Sequence, residues 1–184
     1  MTLTHFETLG FTPAYRCDAE PELPGDGSGT ILRFAHREGT ITGSGLLVSV
    51  EPDIGERWMG TFAWGDYEYT QVCACPDPNF LCVIAEGAAY FVDVRDPSQF
   101  YIPGVFPVTQ LLAVPERSQL LLVDFTTLLC VGKTGVEWTT AQISSDEVKI
   151  EEVTGKVCRL RGWEAGLNRE IYVEIDLDTG DIRR

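Results

Sequence analysis

Short apolar runs, each ended by a glycine or a proline, follow one another along most of the chain. No stretch of a dozen residues keeps apolar positions at i, i+3, i+4 and i+7 without such an interruption, so helices are not expected. The 18 glycines and 10 prolines lie at the short intervals typical of turns between strands. Because parallel strands need long crossovers, this spacing predicts antiparallel meanders and an all-β fold.

The clearest loop is the segment 21–29 (PELPGDGSG), which separates an irregular N-terminal stretch from the strands. We expect a single all-β domain over 1–184, with an irregular segment and loop at 1–29 and a meander core at 30–184. The expected strands are 30–36, 45–50, 59–70, 71–75, 80–85, 88–94, 110–114, 119–124, 127–131, 156–161 and 170–177.

An internal repeat organises the middle of the chain. A shift of 39 residues aligns 70–92 with 109–131 without a gap. The identical pairs are Thr70/Thr109, Gln71/Gln110, Ala74/Ala113, Pro76/Pro115, Leu81/Leu120 and Val92/Val131. A period of about 40 with three or four strands per unit is typical of propeller blades. The blade-like meanders are therefore expected to pack as a β-sandwich or as a small propeller-like domain.

A family resemblance appears in the C-terminal part of the chain. The run 135–146 (GVEWTTAQISSD), then Gly155, Trp163 and 176–180 (DLDTG), resembles a set of small bacterial single-domain proteins of uncharacterised function. The resemblance implies a free-standing bacterial β domain. It brings no catalytic residue with it.

A surplus of acidic residues changes the expected partners. The chain has 28 acidic and 14 basic residues, a formal net charge of −14 at pH 7. Such a charge repels phosphate backbones and anionic lipids, so neither nucleic acid nor a membrane is an expected partner. If the charge selects a partner, that partner is a basic protein. The alternative is that the charge only keeps the protein soluble.

Neither the N-terminus nor the longest uncharged stretch carries a membrane signal. The residues MTLTHFE lack the basic region and apolar run of a signal peptide. The uncharged stretch 97–115 has four prolines, which a lipid-facing helix does not tolerate. We therefore expect a cytoplasmic protein whose cysteines are thiols.

The cysteines first suggest a metal site. Cys73 and Cys75 point to one face of a predicted strand, with Cys82 on the next strand, and thiolates bind zinc in sets of four donors. The repeat instead aligns these positions with Leu112, Val114 and Leu121, and Cys130 with Phe91. Cysteine thus stands where the other copy has core residues. No metal site and no cofactor are expected.

Other short motifs lack the context that their chemistry needs. Gly132-Lys-Thr134 lacks the first glycine and the following helix of a phosphate loop. Asp178-Thr-Gly180 has no second copy, which an aspartic-protease pair requires. Asp176, Asp178 and Asp181 lack the distal glutamate of a calcium loop.

Histidine is scarce, since only His5 and His36 are present. Covalent hydrolase chemistry is therefore disfavoured. Paired carboxylates remain open as acid–base groups, because 28 acidic residues make chance pairs abundant.

The aromatic segment 58–69 is the first candidate binding surface. Strand alternation places Phe62, Trp64 and Asp66 on one face, and Ala63, Gly65, Tyr67 and Tyr69 on the other. One face packs on the core, and the other exposes rings beside Asp66 and Glu68, as recognition surfaces do. The candidate binding residues are Trp64, Asp66, Tyr67, Glu68 and Tyr69. The alternative is an aromatic core strand covered on both faces.

The second candidate is the acidic C-terminal strand, where Glu174 and Asp176 face outward with Tyr172. Arg159 and Arg161 lie on the preceding strand, so cross-strand pairs with carboxylates would make this an ordinary solvated sheet face.

Two classes of function follow from these features. The first is a non-catalytic protein-interaction module with an acidic, partly aromatic surface, and it is favoured because recognisable catalytic groups are missing. The alternative is a binding protein for sugars or amines, or a carboxylate-based enzyme, with a cleft lined by Trp64 or Trp138.

Overall fold

Strands dominate the computed structural model, which describes residues 4–21, 31–35 and 44–183. The all-β prediction is confirmed, since the helical structure in these residues is a single 3₁₀ turn, Pro115–Arg117. The strands are Phe6–Glu7 (β1), Tyr15–Ala19 (β2), Ile31–Phe34 (β3), Gly45–Pro52 (β4), Trp58–Ala63 (β5), Gln71–Ala74 (β6), Phe80–Ala85 (β7), Ala88–Asp93 (β8), Phe100–Tyr101 (β9), Gln110–Val114 (β10), Gln119–Val123 (β11), Leu128–Gly132 (β12), Gly135–Thr139 (β13), Asp146–Thr154 (β14), Val157–Glu164 (β15), Arg169–Asp176 (β16) and Ile182–Arg183 (β17).

The strands form four sheets in two compact units. The unit Met1–Gly104 contains the sheets β1-β6-β7-β8-β9 and β2-β4-β5-β3. The unit Val105–Arg184 contains the sheets β10-β11-β12-β13 and β14-β15-β16-β17. Strand pairing is antiparallel except for β1 with β6 and β3 with β5. The single-domain organisation expected for 1–184 stays a prediction.

The sequence repeat is a repeat of structure down to its register. All four residue pairs between β6 and β7 recur between β10 and β11 after a shift of 39 residues. Four pairs between β7 and β8 recur in the same way between β11 and β12. Cys73 pairs with Cys82 where the second copy pairs Leu112 with Leu121. The duplicated meander is therefore confirmed, while closure of the sheets into a propeller stays a prediction.

The repeated strands form the core because they are apolar on both faces. β7, β8, β11 and β12 are buried along almost their whole lengths. Cys73 and Cys82 are fully buried and Cys75 is 2% exposed, so the prediction that these cysteines are core residues is confirmed. In the second unit, a cluster of buried side chains that includes Leu121, Cys130 and Leu160 joins its two sheets.

The expectation of an irregular segment at 1–29 was wrong for residues 6–7 and 15–19, which form β1 and β2. β2 pairs antiparallel with β4, and the Tyr15 hydroxyl donates to the Phe80 carbonyl at 2.8 Å. Only Tyr15 of this strand is buried, so the apolar signal of an edge strand was too weak to recognise.

The strand expected at 59–70 ends at Ala63. Beyond it, the Gly65 amide donates to the Ala85 carbonyl and the Tyr67 amide to the Glu86 carbonyl. These bonds replace a strand ladder, so the predicted alternation of faces across 62–69 was wrong.

β14 was not expected, because two register shifts against β15 interrupt its alternation. The loop at 22–29 and His36 lie outside the described residues. No helical segment in the described part of the chain has the length and apolar character of a membrane span.

Candidate functional site

The acidic surplus is concentrated in one of the two units. Residues 1–104 contain 15 acidic and 5 basic side chains, whereas 105–184 contain 13 and 9. Among the described residues, the first unit has one ion pair, between Asp93 and Arg95. The second unit has nine. The carboxylates that the structure describes in the first unit are therefore largely uncompensated.

A structured loop in the first unit holds most of the predicted binding residues. We call residues 64–70 the aromatic loop. It lies along the Glu86–Gly87 turn between β7 and β8, with amide–carbonyl distances of 2.9 Å from Gly65 to Ala85 and 2.8 Å from Gly87 to Tyr69. Glu86 and Gly87 have φ of +46° and +83°, the left-handed pair that a two-residue hairpin turn requires.

The aromatic loop presents rings and carboxylates side by side. Trp64, Tyr67 and Tyr69 are half-buried, while Asp66 and Glu68 are exposed. The adjacent Glu86 side chain is exposed as well. Among the described residues, these three carboxylates make no ion pair and no side-chain hydrogen bond. The aromatic loop and Glu86 thus form a continuous acidic and aromatic surface.

Tyr69 is linked to the start of β6. Its hydroxyl donates to Gln71 Oε1 at 2.5 Å, and Gln71 Nε2 donates to Glu7 Oε2 at 3.0 Å. These two hydrogen bonds hold the ring of Tyr69 in place, and the Gln71 side chain connects it to Glu7.

Glu174 and Asp176 lie in the other unit, where arginines compensate both. Across β14, β15, β16 and β17, the register aligns Glu152, Arg159, Glu174 and Arg183 in one row of alternating charge. Arg159 Nε donates to Glu174 at 3.1 Å, and Arg183 Nη2 to Asp176 at 2.6 Å. This arrangement is the solvated sheet face stabilised by cross-strand pairs.

Trp138 has a structural role at the β16–β17 turn. Its Nε1 donates to the Leu177 carbonyl at 3.2 Å. A Cβ placed on Gly180 would lie 2.7 Å from the indole ring, so the ring covers this turn closely.

The carboxylates of the 176–181 turn are held by protein groups. Asp178 accepts from Arg117 and from Lys156, and the hydrogen bonds from Lys156 and Arg117 lower the pKa of Asp178. Asp181 accepts from the Thr179 hydroxyl. Within the described ranges, no three His, Cys, Asp or Glu side chains are grouped to hold a metal ion.

Several residues of the C-terminal sequence pattern support the fold. Ile143 is in the core of the second unit. Ser144 is buried, and its hydroxyl lies 2.6 Å from the Asp146 carbonyl, 2.7 Å from the Trp163 carbonyl and 2.7 Å from the Trp163 amide. Gly155 and Gly180 have positive φ at the turns after β14 and β16. The pattern therefore marks structural positions.

Replacing Ser144 with alanine is expected to lower the free energy of unfolding by about 1–3 kcal/mol, because it leaves the partly buried Trp163 amide without its Ser144 acceptor. Ser145→Ala is the matched control, since Ser145 is exposed and accepts one bond from the Ala165 amide at 3.2 Å. Chemical denaturation of both variants measures the difference. Equal losses in the two would show that the buried Ser144 bonds do not stabilise the sheet.

Sequence reasoning missed Glu86 as a member of the candidate surface. The signal available was the Glu-Gly pair between two apolar strands, which predicts a tight hairpin turn. Its contact with the aromatic loop arises from the fold alone.

Three cavities lie along β16 and the β15–β16 turn. Their lining includes Tyr172 and Val173, or Ser144 and Ile171. Neither Trp64 nor Trp138 lines any of the three, so these cavities do not supply the cleft expected for a small-ligand site.

The sequence was also compared with known proteins. No protein-family model and no curated protein matches the chain. The resemblance to small bacterial β proteins stays a prediction.

Proposed function

We propose that this protein is a non-catalytic interaction module that binds a basic protein segment through the aromatic loop and Glu86. The observation that supports the proposal is the pairing of exposed, uncompensated carboxylates with half-buried aromatic rings in the more acidic unit.

The contrast between the two acidic surfaces favours this location. Glu174 and Asp176 already have arginine partners, so a basic partner would have to displace those arginines. Asp66, Glu68 and Glu86 have no such competitor in the described residues. Uncompensated charge of this kind speeds encounter with an oppositely charged partner.

The aromatic rings favour arginine over lysine in the bound segment. A guanidinium group stacks on an aromatic face and pairs with a carboxylate at the same time. Trp64 and Tyr67 are half-buried beside Asp66, so both contacts are offered within one loop. An ammonium group forms the carboxylate contact with less stacking.

Removing the three carboxylates should weaken binding of an arginine-rich peptide by about tenfold or more, since 1.4 kcal/mol corresponds to tenfold. The variant is Asp66→Asn, Glu68→Gln, Glu86→Gln, and the probe is a ten-residue peptide of alternating arginine and glycine. The matched control is Glu51→Gln, Asp53→Asn, Glu56→Gln, which removes the same charge from exposed residues of the same unit. Isothermal titration at low salt measures the dissociation constants.

Two further comparisons sharpen the result. A lysine–glycine peptide of equal charge should bind more weakly than the arginine peptide, and binding of both should weaken as salt shortens the Debye length below about 10 Å. Equal weakening in both triple variants would indicate general attraction to an acidic protein and would overturn the assignment to the aromatic loop. No binding of the arginine peptide to the unmodified protein would overturn it as well.

A further inference from the structure

The internal repeat contains two equivalent glutamines that have different partners. A shift of 39 residues aligns Gln71 with Gln110, and it also aligns their strand neighbours, Ile84 and Val123. Each glutamine is the first residue of the first strand of its meander. The two copies therefore place the same side-chain amide at the same position of the fold.

In the second unit, this amide binds the backbone of a strand. The Ile150 amide donates to Gln110 Oε1 at 2.9 Å, and Gln110 Nε2 lies 3.5 Å from the Ile150 carbonyl oxygen. A carboxamide has the same donor and acceptor groups as a peptide bond. Gln110 thus binds β14 as the backbone of a neighbouring strand would.

In the first unit, the equivalent amide contacts side chains. The Tyr69 hydroxyl donates to Gln71 Oε1 and Gln71 Nε2 donates to Glu7 Oε2. An ionised carboxylate only accepts hydrogen bonds, so the amide nitrogen faces Glu7 and the amide oxygen faces the aromatic loop. Glu7 is exposed and Gln71 is half-buried, so this amide can be reached from solvent.

The Gln71 amide keeps half of its hydrogen-bonding capacity. A carboxamide oxygen accepts two hydrogen bonds and its nitrogen donates two. Within the described part of the chain, Tyr69 uses one acceptor position, Glu7 uses one donor, and the Gln71 side chain makes no further bond. One acceptor position and one N–H remain, which are the two groups that Gln110 uses on Ile150.

We propose that Gln71 binds the backbone of the partner segment, which lies beside the aromatic loop in an extended conformation. This inference rests on the function proposed above and states how the partner is recognised. One partner residue donates its N–H to Gln71 Oε1 and accepts from Gln71 Nε2, as Ile150 does with Gln110. That residue cannot be proline, which has no N–H.

The position of Gln71 joins backbone recognition to arginine recognition. The Tyr69 hydroxyl lies 2.5 Å from Gln71 Oε1, so a backbone bound to this oxygen runs next to the Tyr69 ring. Arginines that flank the bound residue then lie beside the aromatic loop, where Asp66 and Glu68 are exposed. Charge and stacking select the side chains, and Gln71 holds the main chain.

Titration with a backbone-modified peptide tests the inference. The probes are the arginine–glycine peptide and the same sequence with every backbone amide N-methylated, which keeps the charge but removes the N–H groups. The unmodified protein should bind the N-methylated peptide about fivefold or more weakly. Gln71→Met keeps the length of the side chain and removes the amide, so it should weaken binding of the arginine–glycine peptide by a similar factor. The effect of N-methylation should then shrink by about threefold or more, since the bond is already lost.

Gln110→Met is the matched control, because it removes the same amide from the other copy. It should leave both peptide affinities unchanged. Equal losses in Gln71→Met and Gln110→Met, or an N-methylation effect that is the same with and without the Gln71 amide, would overturn the inference. If the triple variant of Asp66, Glu68 and Glu86 weakens binding while Gln71→Met does not, the acidic aromatic surface stands and backbone recognition fails. An arginine–glycine peptide that does not bind the unmodified protein overturns both proposals.

Nuclear magnetic resonance of the unmodified protein tests the contact without a substitution. The side-chain amide signals of Gln71 should shift as the arginine–glycine peptide is added, in step with the bound fraction. Those of Gln110 should stay in place, because its amide is already bound to Ile150. Gln71 signals that do not move at saturating peptide would contradict the proposed contact, even if Gln71→Met fails to fold.

Discussion

Raising the pH from about 8 to about 10.5 is expected to lower the free energy of unfolding steeply, by up to about 1.4 kcal/mol per pH unit for each buried thiol. Burial raises the pKa of Cys75, Cys82 and Cys130 above the ordinary value, and raises that of Cys158 to about 12. For Cys73, the hydrogen bond to the Cys82 thiol raises the pKa first and burial adds to it.

The sign follows from proton binding in the two states. An unfolded thiol has its ordinary pKa of 9.0, so above that pH the unfolded chain loses protons that the folded chain keeps. The unfolded state then binds fewer protons, and stability falls as pH rises. Below about pH 8 both states are protonated and the thiols contribute no pH dependence.

Denaturant unfolding at a series of pH values measures this slope. Cys158→Val is the informative variant, because it keeps an apolar side chain while removing one titrating group. Above pH 9 its slope should be shallower, by an amount that grows with pH toward a limit of about 1.4 kcal/mol per pH unit. A stability that does not change between about pH 8 and about pH 10.5 would contradict the prediction, as would an unchanged slope in Cys158→Val.

Replacing Gly65 with alanine should destabilise the first unit by about 2–4 kcal/mol and displace the aromatic loop. A Cβ at this position would lie 2.1 Å from the Glu86 carbonyl oxygen and 3.0 Å from the Ala88 amide nitrogen. Both are backbone atoms of a tight turn, so neither yields without breaking the bonds that hold the loop.

Gly104→Ala is the matched control, because a Cβ there has no neighbour within 4 Å. Thermal unfolding and titration with the arginine–glycine peptide should both be measured. Gly65→Ala is expected to lower the melting temperature and weaken peptide binding, while Gly104→Ala should change neither. If Gly65→Ala has normal stability, the loop accommodates the added Cβ. If it binds the peptide normally, the aromatic loop is not the binding surface.

The two candidate acidic surfaces show why charge alone does not locate a site. Asp66 and Glu68 resemble Glu174 and Asp176 in sequence, since each pair alternates with an aromatic or apolar residue. In the fold, the second pair is compensated by Arg159 and Arg183. Arg183 reaches Asp176 only because the chain reverses through the turn at 177–181.

The core could be predicted from the sequence to an unusual degree because the chain contains it twice. Aligning Cys73 and Cys82 with Leu112 and Leu121 identified these cysteines as apolar core positions, and the shared register confirms the alignment. Because the two copies fill equivalent buried positions, a cysteine that aligns with a leucine in the other copy is identified as a core residue and not as a metal ligand.

What the sequence by itself determined was the class of fold, the duplicated meander and the residues that fill it, because apolar alternation and turn residues act locally. The tertiary structure decided where β5 ends, since bonds from Gly65 and Tyr67 to the distant carbonyls of Ala85 and Glu86 replace a strand ladder. It also decided the place of β2, whose single buried side chain, Tyr15, is held by the Phe80 carbonyl. Which carboxylates are compensated depends likewise on partners far apart in the chain, and no local pattern encodes it.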